Sequence, residues 1–322
     1  MARPVVDVVV AGAINWDINL FVRKFPQPGE ETPVFRISRV PGGKAGNVSV
    51  AAARLLGPQR VGILGALGQD DIGQTQMRLL QDEGVDTSTI SLKSNAESGQ
   101  AYIVVEESGQ NMIHTHFGAN GMLTPADILH EVPRKMMETA RIITISDPPL
   151  EITDAITRIA GDGDRLIAWD PGLRAEAGME QLRETLLRVD YLFLNEIEIE
   201  YMTGAREPSE AASRLSKINP DVKPVLKLGK EGCVMFKKQS AVRVPGIDIT
   251  EYGLRVINTV GCGDAFLGAF SAAKALDLKD EEALSWANWA GALKAARPET
   301  RGSPTRQELE TRMARAKMKA SR

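Results

Sequence analysis

A glycine-rich turn directly before a helical segment is the strongest chemical signal in this 322-residue sequence. Residues 258–266 read Asn-Thr-Val-Gly-Cys-Gly-Asp-Ala-Phe, and small apolar residues continue as far as Leu276. Gly261 and Gly263 let the backbone turn sharply, so amide hydrogens can point at a ligand where the helix dipole adds partial positive charge. The pattern therefore predicts an anion-binding cradle formed by Gly261, Cys262 and Gly263.

Asp264, at the end of this cradle, allows two interpretations. A carboxylate beside a bound phosphate would ordinarily repel it, so Asp264 makes chemical sense as a general base that faces an attacking hydroxyl. The alternative is that Asp264 only caps the helix that follows the turn. The residues alone leave both interpretations open.

A second glycine-rich element covers residues 41–47, with the sequence Pro-Gly-Gly-Lys-Ala-Gly-Asn. Gly42 and Gly43 allow a polyol to lie against the backbone. Lys44 and Asn47 add donors and an acceptor for hydroxyl groups. In the alternative interpretation Asn47 is the N-cap of the next helix and Lys44 is a solvated loop charge, and this element does not decide between the two.

Composition and charge exclude several classes of protein. The chain is 43% hydrophobic and 25% charged, and it has no apolar stretch long enough to span a bilayer. Its 39 basic and 42 acidic residues give a net charge of -3, which provides no general attraction for nucleic acid or anionic lipid. Cys233 and Cys262 cannot form a disulfide framework or a zinc site, and the N-terminus lacks a signal-peptide pattern. We expect a cytoplasmic protein with small-molecule partners.

Alternating strand and helix patterns predict the elements that position these residues. Helical patterns are each closed by a glycine after residues 47–56, 72–83 and 152–160. Apolar, β-branched runs typical of buried strands occupy residues 4–12, 60–67, 140–145, 165–169, 191–194 and 224–228. The alternation predicts a doubly wound α/β fold with a mostly parallel sheet and a binding crevice at the carboxyl ends of its strands.

Two segments, residues 15–40 and 99–116, lack a helical period and show short alternating runs instead. We expect them to form a small separate β-sheet that covers the crevice as a lid. The whole chain, residues 1–322, is then one catalytic domain with this lid. The tail from Gln307 onward mixes acidic and basic residues, which favours a solvated helix over a nucleic-acid arm.

Five ordered motifs resemble the ribokinase-like PfkB family of carbohydrate kinases over almost the whole chain. They are Gly-Ala-Ile-Asn-Trp-Asp at 12–17, Pro-Gly-Gly-Lys at 41–44, Asn-Glu-Ile-Glu at 195–198, Leu-Gly-Lys-Glu-Gly at 228–232 and Gly-Cys-Gly-Asp at 261–264. The resemblance implies a ribokinase-like fold and phosphoryl transfer from a nucleotide, ATP or conceivably ADP, to a sugar-type hydroxyl. It also implies a homodimer that forms through the lid.

The resemblance implies a role for each matching residue. Asp264 is similar to the catalytic base, and the amides of Gly261, Cys262 and Gly263 are similar to the anion hole. The substrate-binding positions are Asp17, Gly42, Gly43, Lys44, Asn47 and Asp147. The nucleotide-binding positions are Asn195, Lys227, Gly229, Gly232 and Asn288.

Asn195 and Glu198 match an Asn-x-x-Glu element that helps to place phosphate and hydrated Mg²⁺. A carboxylate that acts through water is chemically sensible, because Mg²⁺ prefers oxygen ligands and retains several waters. However, acidic residues at 196, 198 and 200 alternate with Ile197, Ile199 and Tyr201, as expected of a half-exposed surface element. Without the resemblance, that alternative is the simpler interpretation.

Three residues depart from the related kinases. Lys227 stands where they have threonine, which affects the contacts to the phosphoryl donor. Asn258 stands where they have aspartate, which weakens the case for a bound monovalent cation. Asp147 stands where they have glutamate, and its shorter reach makes ribose specificity less secure. Trp16, beside Asp17, either stacks on a nucleobase or packs within the lid.

The sequence therefore predicts a kinase for a small, ribose-like sugar. A nucleoside kinase of the same family is the alternative. A non-catalytic sugar-binding protein on the same fold would be expected to lose the base, yet Asp264 is present. A nicotinamide-dependent oxidoreductase and a P-loop enzyme are disfavoured, because the first strand leads into Gly-Ala-Ile-Asn and no P-loop string occurs.

Overall fold

The structure, a computed structural model, describes residues 6–108, 110–161, 163–238 and 240–320. The strands are β1 Val8–Gly12, β2 Asn15–Val22, β3 Val34–Gly42, β4 Val61–Gly68, β5 Val85–Asp86, β6 Ile90–Lys93, β7 Gly99–Glu106, β8 Asn111–His116, β9 Ile142–Ser146, β10 Leu166–Asp170, β11 Tyr191–Asn195, β12 Lys223–Lys227, β13 Gly232–Lys237 and β14 Ser240–Pro245. The helices are α1 Lys44–Leu56, α2 Asp71–Asp82, α3 Pro125–Leu129, α4 Glu131–Thr139, α5 Leu150–Gly161, α6 Gly178–Gln181, α7 Arg183–Leu186, α8 Glu196–Thr203, α9 Pro208–Ile218, α10 Cys262–Ala275, α11 Asp280–Ala295 and α12 Arg306–Ala320.

A ten-stranded sheet forms the centre of the described residues, in the order β14-β13-β12-β11-β10-β9-β1-β4-β5, with β6 paired to β4. Its strands from β12 to β5 run parallel, and β13 and β14 are antiparallel at one edge. The six predicted strands correspond to β1, β4, β9, β10, β11 and β12. The predicted mostly parallel α/β sheet is therefore confirmed.

The strand order reverses between β1 and β9, because the chain first builds outward to β4 and β5 and then returns to β9 on the other side of β1. Such a switch point leaves a crevice beyond the carboxyl ends of the two strands. Here those ends are Gly12 and Ser146, which are paired in register. Asp147 follows directly and lies in the predicted crevice.

Helices cover both faces of the large sheet and bury two apolar clusters. One cluster packs α1, α10 and α11 against the sheet and includes Val48, Phe270 and Trp289. The other contains residues of α5, α8 and α9 and includes Ile156 and Trp169. Because α1 and α10 pack against each other, the two glycine-rich motifs at their N-termini are brought together.

A separate four-stranded sheet, in the order β3-β2-β7-β8, contains the two segments that interrupt the strand-helix alternation. Strand β2 pairs parallel to β7, and the outer pairs are antiparallel. The separate small sheet expected from residues 15–40 and 99–116 is confirmed. All six residues of β8 are exposed, as are Val34, Phe35 and Ile37 of β3.

Three local expectations needed correction or refinement. Helix α1 begins at Lys44, so Asn47 lies inside its first turn and is not the N-cap, which is Gly43. The acidic alternation at 196–201 belongs to helix α8 and not to a half-exposed alternating element, since Ile199 is buried beside exposed Ile197. The C-terminal tail forms α12, as expected.

None of the described helices has the length and apolar character needed to cross a membrane.

Candidate active site

The anion cradle lies at the N-terminus of the 14-residue helix α10. Gly261 has φ +84°, and a Cβ built there would lie 2.5 Å from the carbonyl oxygen of Thr300. Only glycine therefore fits the turn, which packs directly on the loop after α11. Cys262 and Gly263 open the helix, where amide groups are without intrahelical partners and the dipole favours an anion.

Asp264, in the first turn of α10, is held by a side chain from the other glycine-rich motif. The Asn47 Nδ2 donates to Asp264 Oδ2 at 2.7 Å. Burial raises the pKa of Asp264, while the hydrogen bond from Asn47 and the charge of Lys44 oppose that rise. The N-cap of α10 is Gly261. The helix-cap interpretation of Asp264 is therefore wrong, and the carboxylate faces the junction of the two motifs.

Asp17, on β2, lies beside this junction and is only 5% exposed. The group formed by Asp17, Gly42, Asn47 and Arg301 is here called the pocket. A Cβ at Gly42 would overlap the Asp17 carboxylate, so the absence of a side chain at 42 is what lets the acid sit there. Burial raises the pKa of Asp17 to about 7 against the attraction of Arg301, and Asp264 raises it further. A carboxylate in this environment gains by accepting hydrogen bonds from hydroxyl groups.

Arg301 is a buried guanidinium that sequence reasoning missed. It is 8% exposed, donates from Nη2 to the Gly42 carbonyl at 2.8 Å and to Gln76 Oε1 at 2.9 Å, and reaches Asn47 Oδ1 from Nε at 3.2 Å. Burial lowers the pKa of Arg301 to about 10, although Asp17 opposes this. Arg301 therefore fixes Asn47, whose other amide atom holds Asp264.

Lys44 interacts electrostatically with the carboxylates of Asp170, Asp147 and Asp264. Lys44 Nζ lies 3.5 Å from Asp170 Oδ1, and the charges of Asp170 and Asp147 raise its pKa although burial opposes them. Asp147 Oδ1 lies 3.5 Å from Arg174 Nε, and burial raises the pKa of Asp147 to about 6. Gly43, between Gly42 and Lys44, is the N-cap of α1.

A cleft of about 400 Å³ opens on the other side of the cradle. The expected nucleotide-binding residues Lys227, Gly229, Gly232 and Asn288 line it, together with the cradle residues Cys262 and Gly263. Apolar side chains such as Ile247, Val256 and Phe266 complete its walls. Asn288 donates to the carbonyls of Val244 and Pro245 at 3.1 and 3.0 Å, which fixes the end of β14 along the cleft.

A network of buried charges separates the pocket from the cleft. Lys227 Nζ donates to Asp170 Oδ2 at 2.6 Å and lies 4.0 Å from Glu198 Oε2. Lys227 and Lys44 lower the pKa of Asp170 to about 2 even though burial opposes its charge. A Cβ at Gly263 would lie 3.9 Å from Lys227 Nζ, so this ammonium stands beside the anion cradle.

Asn195 and Glu198 form a reciprocal capping box at the start of α8. Asn195 Oδ1 accepts from the amides of Ile197 and Glu198, and Glu198 Oε2 accepts from the Asn195 amide at 2.8 Å. Burial and the nearby Asp170 raise the pKa of Glu198. Within the described part of the chain no three His, Cys, Asp or Glu side chains are grouped to hold a metal ion.

Asp170 was also missed, although its position carried a signal. It directly follows the predicted strand 165–169, and the carboxyl ends of parallel strands line the binding crevice. Asn120 was missed as well; its side chain accepts from the Ile14 amide at 2.9 Å and donates to Asn15 Oδ1 at 2.9 Å. No local pattern marks Arg301 or Asn120, because both act through contacts with distant parts of the chain.

Known proteins resemble this chain over nearly all of its length. The pfkB family carbohydrate kinase pattern matches residues 6–306. A ribokinase of Bacillus subtilis is 30% identical over 94% of this chain and 98% of its own, and an ATP-dependent ribose-1-phosphate kinase of Halopiger xanaduensis is 28% identical over 93% and 95%. The structure of Arabidopsis thaliana ribokinase complexed with ribose and ATP superposes with a TM-score of 0.83 at 25% identity, covering 97% of this chain and 98% of that one.

Proposed function

This chain belongs to the pfkB family of carbohydrate kinases, and from that premise we propose that it transfers the terminal phosphoryl group of ATP to a hydroxyl of a ribose-like sugar. The observation that carries the proposal is the position of Asp264. Its carboxylate is held by Asn47 and interacts electrostatically with Asp17, and the residue directly follows Cys262 and Gly263, which line the 400 Å³ cleft. An acceptor hydroxyl and a phosphoryl donor could meet there.

In this mechanism Asp264 takes the proton of the attacking hydroxyl. Its raised pKa suits a base that must accept a proton during the reaction and release it afterwards. The amides of Gly261, Cys262 and Gly263 stabilise the charge of the transferring group. Lys227 leaves Asp170 and pairs with phosphate oxygens, since its ammonium already lies beside the cradle.

Mg²⁺ would be held by the nucleotide phosphates and, through water, by Glu198, and it would neutralise charge on the transferring group. Glu198 is kept in place for that role by its hydrogen bond from the Asn195 amide. ATP is the donor we propose, although the cleft does not itself distinguish ATP from ADP.

The pocket suits the vicinal hydroxyls of a furanose. Asp17 can accept two hydrogen bonds, and Asn47 and Asp147 supply further hydrogen-bonding groups. The Bacillus subtilis relative and the Arabidopsis thaliana structure are both called ribokinase, and the latter holds ribose and ATP. These names support ribose as the first acceptor to test.

A phosphorylated pentose is the second candidate. A cavity of about 260 Å³ is lined by Asp147 and Arg174. The Arg174 guanidinium is partly exposed there and could pair with a phosphate on the acceptor. The Halopiger xanaduensis relative is named for such an acceptor.

A coupled assay of ADP release tests the acceptor directly. We expect the highest kcat/KM with ribose among ribose, fructose, ribose 1-phosphate, cytidine, inosine and adenosine. Strong turnover of a nucleoside with none of ribose would favour the nucleoside kinase instead. Binding of a sugar with no release of ADP for any acceptor would point to a non-catalytic sugar-binding protein.

The small sheet is proposed to close over the acceptor and exclude water. Asp17 lies on its strand β2, so a bound sugar would contact both the sheet and the body of the protein. Hydrogen exchange in residues 15–40 and 99–116 should slow when ribose and a non-hydrolysable nucleotide are added. Exchange that does not change at saturation would show a fixed sheet.

The outer face of the small sheet is proposed to form a homodimer interface. Ile37, Tyr102 and Met112 expose 48%, 39% and 49% of their surface on the face opposite Asp17. Apolar side chains grouped in this way are typical of an interface. Sedimentation should show a dimer that Ile37→Ser and Met112→Ser together convert to a monomer, whereas a monomeric unmodified protein would contradict the proposal.

A further inference from the structure

Lys294, in the last turn of α11, is completely buried, with 0% of its surface exposed. A lysine is rarely enclosed in this way, because the ammonium loses its hydration. Burial lowers the pKa of Lys294, and only the more distant charges of Cys262, Glu299 and Asp264 oppose this. The position therefore needs an explanation other than stability.

The ammonium is held by backbone carbonyl groups. Lys294 Nζ donates to the Asn258 carbonyl at 2.8 Å and lies 3.5 Å from the Arg297 carbonyl. Among the residues that the structure describes, no carboxylate lies within 4.0 Å of it. A single positive charge among carbonyl oxygens is the arrangement that a protein uses to bind a monovalent cation.

The two carbonyls belong to the loops that form the active site. Asn258 begins the turn that reaches Gly261 and the anion cradle, and its side chain also donates to the Pro298 carbonyl at 2.8 Å. Arg297 begins the loop that places Thr300 against Gly261 and then Arg301 in the acceptor pocket. A cation between these loops therefore connects the cradle to the acceptor pocket.

An uncharged side chain at position 294 would not connect the Asn258 and Arg297 loops in the same way. The last carbonyls of α11 carry partial negative charge, which a cation at the helix C-terminus stabilises. Asn258 brings a neutral amide and no carboxylate, so a second, diffusible cation would find no charged ligand in its side chain. Lys294 alone provides the charge.

We propose that Lys294 is a positioning residue that acts as an internal monovalent cation, holding the cradle and the Arg301 loop together, so that the enzyme works without added K⁺ or Na⁺. The inference rests on the role proposed above for the cradle. Lys294 touches neither acceptor nor nucleotide in this scheme and acts through the Asn258 and Arg297 carbonyls.

The test compares cations at equal ionic strength. For the unmodified protein, kcat should be the same in KCl, NH₄Cl and tetramethylammonium chloride. Lys294→Ala leaves a void lined by carbonyls, so in tetramethylammonium its kcat should fall by about tenfold to a hundredfold, the scale of a small misplacement of catalytic groups. K⁺ or NH₄⁺, but not tetramethylammonium, should restore most of the loss. Lys294→Met fills the void without charge and should not be restored.

Lys274→Ala is the matched control, because Lys274 also lies in the last turn of a helix and donates to a carbonyl, that of Leu278, at 2.9 Å, but is paired with Asp280. It should lose thermal stability and keep its kcat. A requirement of the unmodified protein for K⁺, a normal kcat in Lys294→Ala, or a loss that neither cation restores would each overturn the proposal.

Thermal unfolding separates this inference from the proposed function. The melting temperature of Lys294→Ala should rise with K⁺ or NH₄⁺, and that of the unmodified protein should not. This readout needs no acceptor, so it stays decisive if the protein phosphorylates none of the sugars tested. If the melting temperature of Lys294→Ala were the same with and without K⁺ or NH₄⁺, that result alone would contradict the internal-cation role.

Discussion

The acceptor pocket and the nucleotide cleft differ in how much of their chemistry is in place before a ligand arrives. In the pocket, Asp17, Asn47 and Arg301 are buried and fixed by hydrogen bonds or close packing. In the cleft the walls are largely apolar, and Lys227, whose ammonium lies beside the cradle, is paired with Asp170. The pocket is preorganised, whereas the cleft must exchange an internal ion pair for a nucleotide.

This difference assigns separate tasks to the two regions. A preorganised pocket loses little entropy on binding and can distinguish acceptors by the placement of hydroxyls. A cleft whose cation is already paired gains affinity only when phosphate competes better than Asp170 does for Lys227. Substitutions in the pocket should therefore alter acceptor affinity alone, and those in the cleft should alter nucleotide affinity alone.

The largest effect is expected from Asp264→Asn, at the boundary between the regions. The amide cannot accept the proton, so kcat should fall by at least about a hundredfold, the low end of general-base contributions. Because the shape is kept, calorimetry should show nearly unchanged affinity for both ligands. Turnover close to that of the unmodified protein would remove Asp264 as the base.

Asp17→Ala tests the pocket side of the comparison. The variant loses the acceptor of hydroxyl hydrogen bonds and leaves Arg301 buried without its nearby opposite charge, so we expect no measurable affinity for any accepted sugar. Calorimetry with each sugar and with ATP alone measures this. Asp17→Asn should lose less, since its amide oxygen still accepts. Weakened binding of ATP in either variant would break the separation between pocket and cleft.

Lys227→Met tests the cleft side. Removal of a charge-assisted hydrogen bond to phosphate is expected to weaken ATP binding by about tenfold to a hundredfold, corresponding to about 1.5 to 3 kcal/mol. The KM for the acceptor should not change. Lys238→Met, which alters an exposed lysine between β13 and β14, is the control. A change confined to acceptor binding would show that Lys227 serves the pocket instead.

The pH dependence of kcat/KM for the acceptor should report Asp17. Its folded pKa of about 7 means that the carboxylate protonates as the pH falls below neutrality, and activity should drop by about tenfold per pH unit there. A limb near pH 6 would instead identify Asp147. In Asp17→Asn the fall of kcat/KM near pH 7 should be absent. If the fall persists in this variant, another group causes it.

The smallest effect is expected from Trp16→Ala. Successive residues of a strand face opposite sides of the sheet, so Trp16 on β2 points away from the face on which Asp17 meets the acceptor. The hypothesis that Trp16 stacks on a nucleobase is therefore disfavoured. We expect losses of kcat/KM of about two- to threefold, equal for ribose and nucleosides. A clearly larger loss for nucleosides would bring the stacking hypothesis back.

Local patterns predicted the fold and the parts of the site that depend on neighbours in the chain. The buried strands, the small sheet and the cradle at Gly261 all follow from spacing within a few residues. The interpretation of residues 196–201 as a half-exposed alternating element was wrong, because a helix that is buried along one side can show the same acidic spacing over six residues. Arg301 and Lys294 could not be recognised, since each acquires its role through partners distant in sequence, whereas Asp170 could have been found from its place at the carboxyl end of a strand.

The long-range contacts of Arg301 also determine at which stage of synthesis the protein becomes able to bind a sugar. Arg301 bonds to Gly42 across 259 positions and Asn47 bonds to Asp264 across 217. During synthesis the N-terminal half emerges first and can begin to fold, whereas Arg301 is added 259 positions after Gly42. A nascent chain therefore carries the acid of the pocket without its compensating charge, and contacts of such length slow the final step of folding. Prematurely terminated chains that end before Arg301 should be unable to bind a sugar and should be open to proteolysis.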